Sequence, residues 1–175
     1  MHDPSNYLLE QVEFRQVEQK DLPALEWDGE LIHFRGLFSE VFQRSMRGDG
    51  LMWVADYRNE KIIGQLFISF SANSFLMNSS KRAYIHGFRI RSEYRGQGIG
   101  SAMVQWVEAD LKRRHCQIVT LNVAQDNPNA IRLYKRLGYV IVGFEPGEWS
   151  YIDHNGIRQQ VKEPAWKMEK RLPGL

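Results

Sequence analysis

Cysteine is nearly absent. Cys116 stands alone among 175 residues, so neither a disulfide framework nor a thiolate metal cluster can be built. It opens an apolar strand, where a buried, inert thiol is expected. The five histidines (His2, His33, His86, His115 and His154) are scattered without partners at ligand spacing, so no metal site is expected. An excess of one charge is missing too. Lysine and arginine number 23 against 21 aspartates and glutamates, a formal net charge of +2, which is too small to mark a nucleic-acid or membrane binder. No segment is apolar enough to span a bilayer, and MHDPSNYLLEQ lacks a charged-then-apolar leader pattern; a reducing, cytoplasmic setting is the expectation. Repeats, low-complexity tracts and linkers are also lacking, so residues 1–175 are expected to form one domain. Its 43% apolar and 25% charged residues suit a globular core.

What is present is a series of short periodic segments. Gln11–Val17 alternates as a first strand. Asp21-Leu22-Pro23 opens a helix that Asp21 can cap, with Leu22, Leu25 and Trp27 on its apolar side. Glu30–Met46 is predicted as a second helix with Ile32, Phe34, Leu37, Phe38, Val41 and Phe42 as its stripe, and that stripe reads better as core than as pocket lining. Leu51–Tyr57 and Lys61–Phe70 are strands joined by Arg58-Asn59-Glu60, and Ser71–Arg82 is a polar loop. After a strand at Gln117–Val123, Asn127 caps a helix, Pro128 takes its first position and Gly138 closes it. Tyr139–Phe144 is a strand, and Trp149–Asp153 and Ile157–Val161 flank the Asn155-Gly156 hairpin signal. Ala165–Arg171 alternates and is expected to extend the last strand.

One stretch, YIHGFRIRSEYRGQGIGSAMVQWVEADL at Tyr84–Leu111, carries chemistry. It reads as a strand (Tyr84–Ile90), a glycine turn and a helix whose apolar face is Ile99, Ala102, Met103, Trp106, Val107 and Leu111. A glycine turn feeding a helix N-terminus is an anion site, because the first helical N–H groups have no internal partner and bare glycines let a phosphate reach them. Arg95 adds a cation at the mouth. The dinucleotide fingerprint does not fit, since after Gly96 and Gly98 the third glycine, Gly100, comes one residue early; the ATP-type loop does not fit either, for want of its lysine.

The remaining pattern, R-x-x-G-x-G at Arg95–Gly100, resembles the pyrophosphate loop of the GCN5-related N-acetyltransferases, the GNAT superfamily. N-x-x-A-x-x-L-Y-x-x-x-G-[FY] at Asn127–Tyr139 and the D-L-P-A-L helix start at Asp21–Leu25 are similar as well, and by element order the likeness runs over Glu10–Arg171. It implies an α/β (α+β) fold: a mixed, mostly antiparallel twisted sheet of about six to seven strands, with helices on both faces. Two neighbouring parallel strands, Tyr84–Ile90 and Gln117–Val123, would splay to admit acetyl-CoA as cosubstrate. The resemblance places Phe88, Arg89 and Ile90 beside the pantetheine arm. It places the N–H groups of Arg95, Gly96, Gln97, Gly98, Ile99, Gly100 and Ser101 around the pyrophosphate, Asn127 at the pantetheine and Tyr134 beside the sulfur.

Acyl transfer from a thioester needs a neutral amine, a polarised carbonyl and a stabilised thiolate. Tyr134 can supply the last by donating a proton or hydrogen bond; by spacing alone it reads equally well as a core tyrosine. Strict alternation puts Tyr84, His86, Phe88 and Ile90 on one strand face, making His86 a candidate base beside its commoner structural role. Relatives of the arylalkylamine branch resemble this chain only at the second of two histidines, since Tyr84 fills the first position.

The expected activity is acetyl-CoA-dependent N-acetylation of a primary amine, small molecule or protein. The acceptor site is expected from the first two helices, the Ser71–Arg82 loop and the Trp149–Val161 hairpin. Trp27, Phe34, Phe38 and Trp149 would line it, and Glu26, Asp28, Glu30 or Glu148 would attract an ammonium group. The alternatives are a non-catalytic acyl-CoA-binding domain and, more weakly, nucleotide binding through the glycine turn. Neither nucleic acid nor membrane is an expected partner, and monomer and homodimer both stay open.

Overall fold

The computed structural model describes residues 4–71 and 81–173. Nine strands were found among them: β1 (Val12–Gln16), β2 (Gly50–Tyr57), β3 (Lys61–Phe70), β4 (Arg82–Ile90), β5 (Ile118–Ala124), β6 (Val140–Glu145), β7 (Glu148–Ile152), β8 (Arg158–Lys162) and β9 (Ala165–Arg171). Four α-helices accompany them: α1 (Pro4–Leu9), α2 (Arg35–Met46), α3 (Ile99–Arg113) and α4 (Pro128–Arg136). Seven strands form one sheet in the order β1-β2-β3-β4-β5-β9-β6, and β7 and β8 make a separate ribbon. Every pairing is antiparallel except β4 with β5, which α3 connects as a crossover. Arg58 and Asn59, both at φ 56, make the tight β2–β3 turn, as the polar tripeptide there suggests. The expected mixed, mostly antiparallel sheet is therefore what this chain forms.

The sheet separates two cores. On one face α3 lays down Ile99, Met103, Val107 and Leu111 at four-residue spacing, with Val104 beside them. On the other, Phe38, Val41 and Phe42 of α2 pack over Met52, Val54 and Phe67. Trp106, expected in the α3 stripe, is instead 49% exposed and lies near Phe14; the buried arc of this helix turns toward Val104.

Three further expectations change, and one element was not expected. Asp21 does not cap its helix; it is the third residue of a 3₁₀ segment, Gln19–Glu26. Its carboxylate accepts the Glu18 N–H and pairs with Arg15, which also binds Asp56. The helix predicted from Glu30 begins as a 3₁₀ turn at Ile32–Phe34 and becomes α2 only at Arg35. Ahead of it Trp27, Asp28 and Gly29 are left-handed (φ 49, 60 and 98), a run no helix can include. Arg91 holds that turn, donating to the Ile62 carbonyl and to Asp28 while lying over the Trp27 ring. Ala165–Arg171 does not prolong a neighbour: β9 enters between β5 and β6. Finally, α1 carries no strong periodicity and was not legible.

The decisive irregularity is in β4. Gln65 pairs with Arg89 and Phe67 with His86, so two steps along β3 meet three along β4. The extra residue is a β-bulge centred on Gly87, at φ +60. A Cβ there would stand 2.4 Å from a carbon of the Phe67 ring, so the position is closed to other residues on two counts. The bulge shifts the side-chain phase. Tyr84, His86 and Arg89 share the α2 face through their partners, whereas Phe88 and Ile90 point to the α3 side, against Gly100 and Gly64. The predicted single file of Tyr84, His86, Phe88 and Ile90 is thereby broken after His86.

Candidate active site

Pairing of β4 with β5 runs from Arg82↔Ile118 to Ile85↔Leu121 and stops. From His86 onward the β5-facing edge of β4 has no strand partner, and a cleft of about 1060 Å³ occupies the gap. The splay expected between these strands is therefore present, and the bulge at Gly87 sits where it begins.

At one end of the cleft the chain turns through Gly96 and Gly98, both left-handed, into α3. Among the described residues no acceptor pairs with the backbone N–H of any residue from Gly96 to Ser101. Arg95 differs from the expectation: its N–H is used by the Ser92 carbonyl, so the unpaired run starts one residue later. Its Nε donates to the Ile90 carbonyl at 2.8 Å, tying the turn to the end of β4 and leaving the outer guanidinium nitrogens to the cleft. That bond also occupies the Ile90 carbonyl. Ile99 is 1% exposed in the core and offers only its N–H, and Gln97 turns its amide back to the Glu93 carbonyl. Gly100 has ordinary backbone geometry, and an added Cβ would meet Phe88 at an ordinary 3.5 Å. The protein itself does not require glycine there; a ligand pressed against the helix end would.

On the α4 side, the Asn127 side chain accepts the Ala130 N–H and caps the helix. About two turns on, Tyr134 is buried between Phe88 and Tyr139 yet lines the cleft. Its hydroxyl has no partner among the described residues, and burial raises its pKa, with Tyr84 adding to the effect. It is a phenol held protonated, able to donate. Behind it the Tyr139 hydroxyl donates to Glu108, which also takes Lys170, so α3, β9 and the end of α4 are bolted together.

On the opposite, α2-side face lie His86 and Arg89. His86 Nε2 is 2.9 Å from Ser69 Oγ and its ring stacks on Tyr84. Burial, with Arg44 and Arg89 nearby, lowers its pKa to about 4, so the ring is neutral at physiological pH. Arg89, expected at the pantetheine, instead lays its guanidinium over the Phe34 ring at 4.9 Å. Trp27, Glu30 and Leu31 complete this end of the cleft. Trp149 and Tyr151 of β7 cover Phe34, while Phe38 is core, edge-on to Phe67. Residues 72–80, most of the loop expected at the acceptor site, lie outside the described residues. Three of the acids expected to attract an ammonium are already engaged: Glu26 by Arg35, Asp28 by Arg91 and Glu148 by Lys162. Glu30 alone of the four lines the cleft.

Among the described residues no cluster could hold a metal ion, and no helix is long and apolar enough to cross a membrane.

Comparison with known proteins agrees with this geometry. The spermine/spermidine N(1)-acetyltransferase of Bacillus subtilis is 31% identical over 87 residues, 49% of this chain and 53% of its own length. The chain thus matches about half the length of this curated relative. Arabidopsis thaliana NAA60, solved with acetyl-CoA, superposes with a TM-score of 0.67 at 25% identity, over 93% of this chain and 99% of that one. The Vibrio cholerae spermidine N-acetyltransferase, solved with CoA and spermine, gives 0.68 at 17% identity over 93% and 96%, a likeness of fold. The model of the Acetyltransferase (GNAT) family matches residues 12–139, from β1 through the end of α4, and the chain belongs to that family.

Proposed function

We propose that this protein transfers the acetyl group of acetyl-CoA to a primary amine by direct attack on the thioester. One observation carries the reading: six consecutive unpaired N–H groups, Gly96 to Ser101, ring the mouth of a gap between two parallel strands. A diphosphate satisfies such donors, and the strand edge freed beyond Ile85 suits an extended, amide-bearing arm that adds as a strand would. Relatives solved with acetyl-CoA or CoA support the choice of carrier.

The residues then divide the work. The freed edge of β4 near Phe88 polarises the thioester carbonyl and steadies the charge that grows on its oxygen. Tyr134, kept protonated by burial, donates to the departing thiolate. His86, neutral and bonded to Ser69, does not draw the proton from an incoming ammonium, since that cation holds its proton several units more tightly. The amine therefore reacts from its free-base form, and His86 serves as a fixed hydrogen-bonding group on the acceptor side.

The test is release of free CoA from acetyl-CoA with a panel of small amines and N-terminal peptides. Turnover with some amine is the expected result. Tight CoA binding without turnover on any of them would point to a binding module instead.

A further inference from the structure

Arg89 stands apart from the other arginines that are not exposed. Among the described residues Arg15, Arg91 and Arg114 all reach a carboxylate. Arg89 is half-buried and, among the described residues, forms no ion pair and no hydrogen bond; its one contact of note is the face of Phe34. A guanidinium partly withdrawn from water, with its donors unpaired by the protein, is a receptor for an acceptor group that enters the cleft. A second unpaired donor lines the same cleft. The Trp27 indole Nε1–H is buried without a partner, in a residue only 3% exposed that lines the same cleft. Across from Arg89 on the same face, Gln65 is fully buried and its amide too is unpaired.

These groups do not serve the carrier's phosphates. The phosphate-type donors are at Gly96–Ser101, on the far side of β4, and the bulge at Gly87 is what swings Arg89 away from Phe88 onto the acceptor face. The acids at this end, Glu30 and Glu163, are exposed at the rim; Glu163 partly offsets the burial of Arg89 through its charge but forms no ion pair with it. The chemistry left unmet inside the acceptor end is therefore that of a planar anion with two acceptor oxygens, for which a guanidinium stacked on an aromatic ring is the matched receptor.

We infer that the acceptor amine carries a carboxylate, bound by Arg89 with help from the Trp27 indole N–H. This rests on the acetyl-transfer reading above and narrows it, setting the chain apart from relatives named for polycationic acceptors. The carboxylate could belong to a free amino acid or to an acidic side chain at a peptide N-terminus; both present the same group to Arg89.

The experiment compares matched acceptors by CoA release: free glutamate and alanine against their carboxamides in one arm, C-terminally amidated peptides beginning Asp or Glu against Asn or Gln in the other, and spermine beside both. The ratio of kcat/KM, acid over amide, is expected to be about tenfold or more in at least one arm, which also identifies the source. In Arg89→Gln that ratio is expected to fall to about one, and in Arg89→Lys to be partly kept. A preference for amides or for spermine would overturn the inference. So would an Arg89→Gln variant that slows all acceptors alike and raises the KM for acetyl-CoA while leaving the ratio intact, since Arg89 would then serve the carrier. No CoA release from any amine would overturn the acetyl-transfer reading itself, and this inference with it.

Discussion

Tyr134 is the residue with the sharpest consequence. Its hydroxyl is unpaired, protonated and at the cleft wall, so Tyr134→Phe removes one donor and almost no volume. We expect kcat to fall by about 10²-fold while CoA affinity changes little; an unchanged kcat at every pH would remove Tyr134 from the acid role. His86 makes a prediction of another kind. Its folded pKa of about 4 lies below the ordinary 6.5, so between those values the unfolded chain binds the proton more readily than the folded one. The stability linked to this neutral ring is thus complete above about pH 6.5 and is lost as pH falls toward 4. A series of melting temperatures from pH 7 to 4 should drop less steeply in His86→Gln than in the parent. The same depressed pKa means that the low-pH limb of kcat/KM should follow the pKa of the acceptor amine and survive His86→Ala. The sequence showed that these side chains were chemically able to act; it could not show burial, which converts Tyr134 into a standing donor and His86 into a weak base.

At the scale of elements, β4 is where pattern reading failed instructively. Alternation is a property of a regular strand, and one inserted residue reverses it for everything downstream. The signal was present in Gly87, a lone glycine inside an apolar strand pattern, which is how a bulge announces itself. Gly87→Ala meets both a left-handed backbone and the Phe67 ring, and should destabilise the fold by about 2–4 kcal/mol in denaturant titration. It should also weaken CoA binding, because straightening β4 narrows the gap; a variant with parental stability and affinity would mean that the bulge is incidental. The glycine turn and α3, by contrast, were legible almost to the residue. Their geometry is dictated locally by positive-φ glycines and four-residue apolar spacing, with Trp106 misplaced because periodicity cannot tell the margin of a stripe from its centre. The 3₁₀ start before α2 was hidden because Arg91, more than fifty residues away in sequence, is what stabilises the Trp27–Gly29 turn.

For the molecule as a whole, the order of elements along the chain was readable, and the order of strands in the sheet was not. Local periodicity says nothing about which edge a late strand joins, and β9 was accordingly assigned to its sequence neighbours. The family resemblance compensated for this in the cleft, where motif and topology coincide. The prediction at this scale is thermal. CoA at about one hundred times its dissociation constant should add about 2.7 kcal/mol to folding stability and raise the melting temperature accordingly. ATP and NAD at the same concentration should do less, because they lack the arm that fills the strand gap; an equal or larger shift with either would favour simple nucleotide binding.

The insertion of β9 has a consequence for how the chain is made. Seven residues of β5, from Ile118 to Ala124, take their antiparallel partner from Ala165–Arg171, and beyond Leu121 β5 has no other neighbour in the sheet. While the ribosome is still producing the β7–β8 ribbon, the floor of the future cleft has an unsatisfied margin on both sides. Even after residue 171 is joined, its segment must clear the exit tunnel before the sheet can close. The half of the sheet that carries the cleft is thus completed only by β9, and a nascent chain stalled before Ala165 would present a bare β-edge to its surroundings.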